Sequence, residues 1–143
     1  RSENDRKTLI EALKTDLVDA VTSSHDPQPP ENKRLPFAEA SFGAAGLETL
    51  LSALLSLVQT GEITLLGALR PITSGPATLL GLDQGQLKIG TPADLILFDL
   101  DQSWLCLRED LRSRSTNSRF DGRDLVGRVK KTFVAGQSVF SED

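Results

Sequence analysis

The chain has 143 residues, of which 38% are hydrophobic and 25% are charged, a composition typical of a soluble globular domain. Its net charge of -4 gives no basic surface that would attract nucleic acid or an anionic membrane, so we expect neither partner. The single cysteine, Cys106, excludes a disulfide within the chain and favours a cytoplasmic location. Because the chain starts at Arg1 and contains no methionine, we expect it to be a piece of a longer protein.

The first part of the chain alternates between helix, strand and loop signals. Ser2 with an acid three residues later predicts a capped helix over about residues 3 to 15. The apolar run that follows, with Val18 and Val21, predicts one buried strand. Four prolines between residues 26 and 36 remove backbone donors and fix φ, so this segment is predicted to be a loop.

A helical region follows the proline segment. Leucines repeat at helical spacing over residues 47 to 58, which predicts a helix with a buried leucine face that ends at Gly61. Four residues mark two more helices: a cap at Thr64 with a stop near Pro71, and a cap at Ser74 with a stop at Gly81.

From Gly85 onward, short alternating runs replace the helical pattern and predict strands. The runs are GQLKIG, DLILFDL, SWLCLR, RVKKTFVAG and QSVF, with a hairpin at Gly136. Trp104 and Cys106 alternate within one of them and are predicted to be buried. The polar stretch RSRSTNSRFDGRD mixes arginines with acids, which predicts a solvated, salt-bridged loop rather than an anion-binding patch.

Three stretches together make the chain similar to the C-terminal third of dihydroorotase, a metal-dependent cyclic amidohydrolase that interconverts carbamoyl aspartate and dihydroorotate in pyrimidine biosynthesis. The stretches are HDPQ, PFAEASFGAAGLETLL and STNSRFDG. Two others, GTPADLILFD and GRVKKTFVAGQSVF, resemble the small β-domain of many amidohydrolases and do not discriminate among substrates. Another cyclic amidohydrolase, such as a hydantoinase or an allantoinase, therefore stays open as an alternative.

The resemblance implies an α/β fold in two parts. Residues 1–84 would be the last strand and the helices of a (β/α)8 barrel, and residues 85–143 would be part of a small β-sandwich. Zinc is expected for the active family, but most of its ligands come from barrel strands that this chain lacks, so no metal is predicted for this chain. We expect such a piece to be inactive alone, and to associate with itself or with the missing part of the barrel.

The resemblance also locates a site at residues 24–28, where two functional residues of the family differ. The family motif resembles Asp-His-Ala-Pro-His, in which the Asp ligates metal and transfers a proton and the second His contacts substrate. Here Ser24 replaces the Asp and Gln28 replaces the second His. A serine hydroxyl is a weak neutral ligand and no base at neutral pH, whereas Gln28 keeps only hydrogen bonding.

Asp26 is a possible substitute for the missing carboxylate. Residues two apart on a strand share a face, so Ser24 and Asp26 are expected to point into the same site. The step of two residues would, however, displace the carboxylate by about 6 to 7 Å. His25, the single histidine, is interpreted as a hydrogen-bonded structural residue, with metal ligation as the alternative.

Ser41, Phe42 and Gly43 match the loop that, by the resemblance, meets substrate through backbone groups. The alternative is that the glycine serves only packing at a helix entry. Two functions follow from the site as a whole. The first is a dihydroorotase completed by residues outside this chain, and the second is a catalytically silent homologue that acts as a scaffold for aspartate carbamoyltransferase.

Overall fold

The chain folds into a series of short helices followed by a three-stranded antiparallel sheet, in a computed structural model that describes residues 2–142. The helices are α1 (Glu3–Lys14), α2 (Pro30–Lys33), α3 (Leu50–Gln59), α4 (Leu65–Leu69) and α5 (Ser74–Leu80), with 3-10 turns at Leu47–Thr49, Arg70–Ile72 and Arg108–Asp110. The strands are β1 (Leu95–Cys106), β2 (Arg123–Val134) and β3 (Gln137–Ser141), in the order β1-β2-β3. Arg1 and Asp143, the outer ends of the two predicted segments, lie outside the described residues.

The helix predictions are confirmed, with one shifted cap. At the start of α1 the Ser2 hydroxyl accepts from the Asp5 amide and the Asp5 carboxylate accepts from the Ser2 amide, at 3.2 and 2.8 Å. Thr64 caps α4 through its hydroxyl, but α5 is preceded by Thr73 rather than capped by Ser74, and Thr73 makes no side-chain cap bond. Within residues 2–142 no helix is both long and apolar enough to cross a membrane.

The helices pack around a small apolar core. One buried cluster is formed by Ile10 of α1, Leu54 of α3, Ala68 of α4 and Ile63, which precedes α4. The leucine repeat therefore faces the core as predicted, although Leu47 at its start is 63% exposed. This packing anchors the helical part of the chain behind the loops described below.

Two predictions in the first part of the chain are wrong. The apolar run with Val18 and Val21 forms no regular strand, because a strand needs a ladder partner along its length. Within residues 2–142 this run makes isolated backbone hydrogen bonds instead of a ladder, such as the one that the Val21 amide donates to the Pro71 carbonyl at 2.8 Å. The proline segment is not loop throughout, since Pro30–Lys33 forms one helical turn whose first residue already has a helical φ.

The strand predictions hold from Leu95 onward but fail before it. Residues 85–90 form bends and a turn and are exposed, and Gly85 and Gly90 have φ of 78° and 91°, which no regular strand accommodates. The two runs DLILFDL and SWLCLR join into the single strand β1, interrupted by a bulge between Asp99 and Ser103. The predicted hairpin is confirmed between β2 and β3, with φ of 49° at Ala135 and 79° at Gly136.

Helix α3 packs closely against β2 at Gly127, a residue with no side chain. Gly127 of β2 is buried and has a φ of 90°, and its carbonyl accepts from the Ser52 hydroxyl at 2.9 Å and from the Trp104 indole at 3.1 Å. Cys106 is fully buried as predicted, whereas Trp104 is only half-buried. This junction connects the helices to the sheet.

Candidate functional site

The predicted site residues lie on two loops, and a third loop from the distal part of the chain packs against them. We call these the 22–28 loop, the 41–46 loop and the 112–122 loop. The first two are joined by a parallel bridge between His25 and Ala44, and by the Asp26 amide, which donates to the Ala44 carbonyl at 2.9 Å. The three loops thus form one surface, although they are far apart in sequence.

Asn117 joins all three loops through its side chain and its backbone. Its Oδ1 accepts from the Gln28 amide and its Nδ2 donates to the Gly43 carbonyl, both at 3.0 Å. Its own carbonyl accepts from the Ala45 amide at 3.0 Å. Sequence reasoning did not single out Asn117, and the one available signal was its place within the STNSRFDG stretch.

His25 has the structural role predicted for it. Its Nδ1 accepts from the backbone amides of Gly46 and Leu47, at 3.2 and 3.3 Å, and the ring is half-buried. A ring nitrogen that accepts two N–H groups carries no proton, so the neutral ring has its hydrogen on Nε2. The ring therefore satisfies amides at the start of the 3-10 turn that leads into α3.

Ser24 lies beside a cavity of about 450 Å³. Its φ is 46°, a left-handed conformation that is uncommon outside glycine, and its hydroxyl is 3.4 Å from that of Thr22. The cavity is lined mainly by small side chains and backbone of the 22–28 and 41–46 loops, with Arg119 and Phe120 on the side of the 112–122 loop. Apart from this arginine, its lining residues are uncharged.

Asp26 does not share this cavity with Ser24, so the expectation from strand alternation is wrong. The left-handed Ser24 breaks the extended run on which alternation depends. The Asp26 carboxylate instead accepts from the Gln28 side-chain amide at 2.8 Å. It also lies over Gly43, where an added Cβ would come within 2.6 Å of Oδ2.

The three predicted residues of the 41–46 loop differ in their contacts and exposure. The Ser41 carbonyl accepts from the Lys33 ammonium at 2.6 Å, and Phe42 is 91% exposed. Gly43 has a φ of 107° and lines the Ser24 cavity, so of the predicted site residues it is the one that the fold brings together with Ser24. The close approach of Asp26 explains why this position has no side chain.

A second cavity, of about 330 Å³, lies on the other side of Gly43 and is bordered by Lys33 and by the 112–122 loop. Inside its border, the Asp121 carboxylate accepts from the Arg108 amide at 3.0 Å and pairs with the Arg108 guanidinium. These hydrogen bonds lower the pKa of Asp121 below its ordinary value. Sequence analysis missed this cavity, since its residues belong to segments far apart in the chain.

Zinc, the metal expected from the resemblance, does not fit the residues that this chain places at residues 24–28. Zinc is held by thiolate, imidazole or carboxylate groups, and Ser24 offers none of these. The Nδ1 of His25 is engaged by two amides, and Asp26 is held by Gln28 away from the Ser24 cavity. Across residues 2–142 no group of three His, Cys, Asp or Glu side chains is placed to hold an ion.

Residues 3–139 match the amidohydrolase family. The chain belongs to this family. Among curated amidohydrolase relatives, it is 38% identical to a dihydroorotase of Wolbachia sp. subsp. Drosophila simulans (strain wRi) over 99% of its length, covering 32% of that protein. It is also 41% identical to a dihydroorotase-like protein of Pseudomonas aeruginosa over 95% of its length, again covering 32% of the relative. The resemblance to dihydroorotase is thereby confirmed, and the chain spans about a third of these relatives.

Solved amidohydrolase structures have the same fold over the whole chain. The L-hydantoinase of Arthrobacter aurescens superposes with a TM-score of 0.88 at 29% identity, over 99% of this chain and 33% of that one. The dihydropyrimidinase of Brevibacillus agri superposes with a TM-score of 0.91 at 24% identity, over 99% and 32%. The mixed helix and strand content of the chain is therefore that of a part of a larger amidohydrolase structure.

Proposed function

We propose that the chain is the C-terminal third of a dihydroorotase-family protein of cytoplasmic pyrimidine biosynthesis that has lost its own cyclic-amide hydrolysis at Ser24. In this proposal residues 1–84 complete a barrel and residues 85–143 belong to a β-sandwich. The role that remains is structural, as a scaffold for aspartate carbamoyltransferase. The relatives named dihydroorotase and dihydroorotase-like, at 38% and 41% identity, support the family part of this proposal.

The observation that carries the proposal is the chemistry of the Ser24 cavity. Opening or closing a cyclic amide requires a group that takes up and returns a proton near neutral pH, and a carboxylate does this while an unassisted serine hydroxyl does not. Within residues 2–142 the Ser24 hydroxyl has one hydrogen-bond partner, which is another hydroxyl, that of Thr22. Within residues 2–142 neither hydroxyl is hydrogen-bonded to a base that would activate Ser24 as a nucleophile.

The position of Asp26 argues against its acting as a substitute acid. To reach the Ser24 cavity, the Asp26 carboxylate would have to break its hydrogen bond with the Gln28 side chain and move away from Gly43. Catalytic groups must be held within about half an ångström of a productive position, so a carboxylate fixed elsewhere does not serve. Gln28, which replaces the substrate-contacting histidine, is engaged in the same contact.

A dihydroorotase made active by residues outside this chain is the competing function. The two are separated by assaying the complete protein for dihydroorotate turnover and for bound zinc, and by isolating it together with its cellular partners. We expect no turnover and co-purification with aspartate carbamoyltransferase. Stoichiometric zinc together with turnover would contradict the proposal, and loss of that turnover in Asp26→Ala would assign it to the substitute carboxylate. Turnover of a hydantoin or of allantoin instead would point to another cyclic amidohydrolase.

A further inference from the structure

We propose that the cavity between Lys33 and Arg119, hereafter the Lys33–Arg119 cleft, binds a small molecule through an oxyanion, either a carboxylate or a phosphate. The charged and hydroxyl-bearing residues that line the cleft are Lys33, Arg108, Thr116, Ser118, Arg119 and Asp121. The proposal does not depend on whether the protein hydrolyses a cyclic amide.

The charges lining the cleft are unbalanced in favour of an anion. Three cations face one acid, and that acid is already used, because both oxygens of Asp121 are bound by Arg108. Within residues 2–142, Lys33 and Arg119 form no ion pair with a carboxylate. The salt bridge predicted for residues 112–124 is present at Asp121, whose partner Arg108 lies before that stretch, whereas Arg119 of the stretch and Lys33 across the cleft are available for a ligand.

Neutral donors supplement these two cations. The Ser118 hydroxyl lines the cleft, where it accepts from the Phe120 amide at 3.2 Å and also contacts the Cys106 thiol. Thr116 adds a second hydroxyl at the lining. An oxyanion accepts several hydrogen bonds, and a set of two cations with two hydroxyls suits a carboxylate or phosphate better than a neutral group.

The wall of the cleft is fixed before any ligand binds. Asn117 ties the 112–122 loop to the Gly43 carbonyl and the Gln28 amide, and the Lys33 ammonium is held near the wall by the Ser41 carbonyl at 2.6 Å. A preorganised wall reduces the ordering that binding would otherwise require. The volume of about 330 Å³ lies at the lower end of the range for small-molecule sites, so the ligand is expected to be small.

The cleft adjoins the Ser24 cavity. Gly43, Ala44 and Arg119 line both, so Arg119 lies at the boundary between the two spaces. The two spaces therefore share one wall, and Arg119 is the charged side chain of that wall.

The test is calorimetric titration of the complete protein with succinate and, separately, with inorganic phosphate. The variant is Arg119→Gln, and the matched control is Arg114→Gln, which replaces another exposed arginine of the same loop that does not line the cleft. We expect saturable binding of at least one probe, weakened about tenfold in Arg119→Gln and unchanged in Arg114→Gln. The tighter probe identifies the anion as carboxylate or phosphate.

Lys33→Gln provides a second variant on the opposite wall and is expected to weaken the same probe. Binding of neither probe would overturn the proposal. Equal weakening in Arg119→Gln and Arg114→Gln would also overturn it, because the binding would then reflect only the net charge of the loop.

Discussion

Replacement of Gly127 by alanine is expected to destabilise the junction between α3 and the sheet more than its size suggests. Gly127 has a φ of 90°, and a Cβ at this position would overlap the Cδ1 atom of Leu55, which is 1% exposed and cannot move into solvent. The same residue accepts two side-chain hydrogen bonds through its carbonyl, from Ser52 and Trp104. Any backbone shift that relieves the overlap would strain both of these bonds.

The expected loss combines two separate terms. A left-handed conformation costs a non-glycine residue about 1 to 2 kcal/mol. Forcing an extra methyl group into a filled core costs about 1 to 3 kcal/mol more. We therefore expect Gly127→Ala to lower the free energy of unfolding by about 2 to 5 kcal/mol. Gly122 is a matched control, since its φ is 72° and an added Cβ would meet no atom within 4 Å, so Gly122→Ala carries the first term alone.

Urea unfolding followed by circular dichroism measures the difference between the two variants. Gly127→Ala should cost less in a Leu55→Ala background than in the unchanged protein, because shortening Leu55 removes the overlapping atom. If Gly127→Ala lost no more stability than Gly122→Ala, the close packing of α3 on β2 would be refuted.

Three further outcomes follow from named contacts. Asn117→Ala leaves the Gln28 amide without its acceptor and should lower stability by about 1 to 3 kcal/mol in urea unfolding, whereas an unchanged midpoint would contradict its joining role. Hydrogen bonds from Lys130 and Arg128 lower the pKa of Glu142 from its ordinary value of 4.5. The stability that the Glu142 carboxylate contributes is fully present above pH 4.5 and is lost as the pH falls through the lowered pKa. Glu142→Gln should therefore lower the free energy of unfolding by up to about 1 kcal/mol at neutral pH and by little in strong acid. An equal loss at both pH values would contradict this. Burial raises the pKa of the Cys106 thiol, so iodoacetamide should label it only after unfolding, and rapid labelling of the native protein would show that it is accessible.

Patterns that depend on neighbours in sequence predicted the structure well. The leucine period over residues 47 to 58 and the turn residues at Ala135 and Gly136 act locally, and both elements form where predicted. The apolar run around Val21 and the residues from Gly85 to Gly90 required a partner strand that the described chain does not supply, so apolar alternation alone misassigned them.

The candidate site was predictable to the same degree. Of the residues that the resemblance assigned to a site, Ser24 and Gly43 line one cavity, whereas Ser41 and Phe42 do not line it. The role of Asn117 and the presence of the Lys33–Arg119 cleft were not predictable, because both depend on residues of the 112–122 loop that approach the rest of the site only after folding. The position of Asp26 failed for a different reason, a single left-handed residue at Ser24.

The contacts that hold the site loops in place are separate from the groups that would perform chemistry there. His25 accepts hydrogen bonds from backbone amides through one ring nitrogen, and Asn117 joins backbone groups of three loops. Gly43 has no side chain, which leaves room for Asp26. None of these contacts involves the Ser24 hydroxyl, whose described partner is Thr22 alone. In the proposed function, a hydroxyl takes the place of a carboxylate at residue 24, which removes a proton-transferring group without removing a contact that supports the loops. The same proposal has the protein lose hydrolysis and keep the loop surface on which a ligand or a partner would bind.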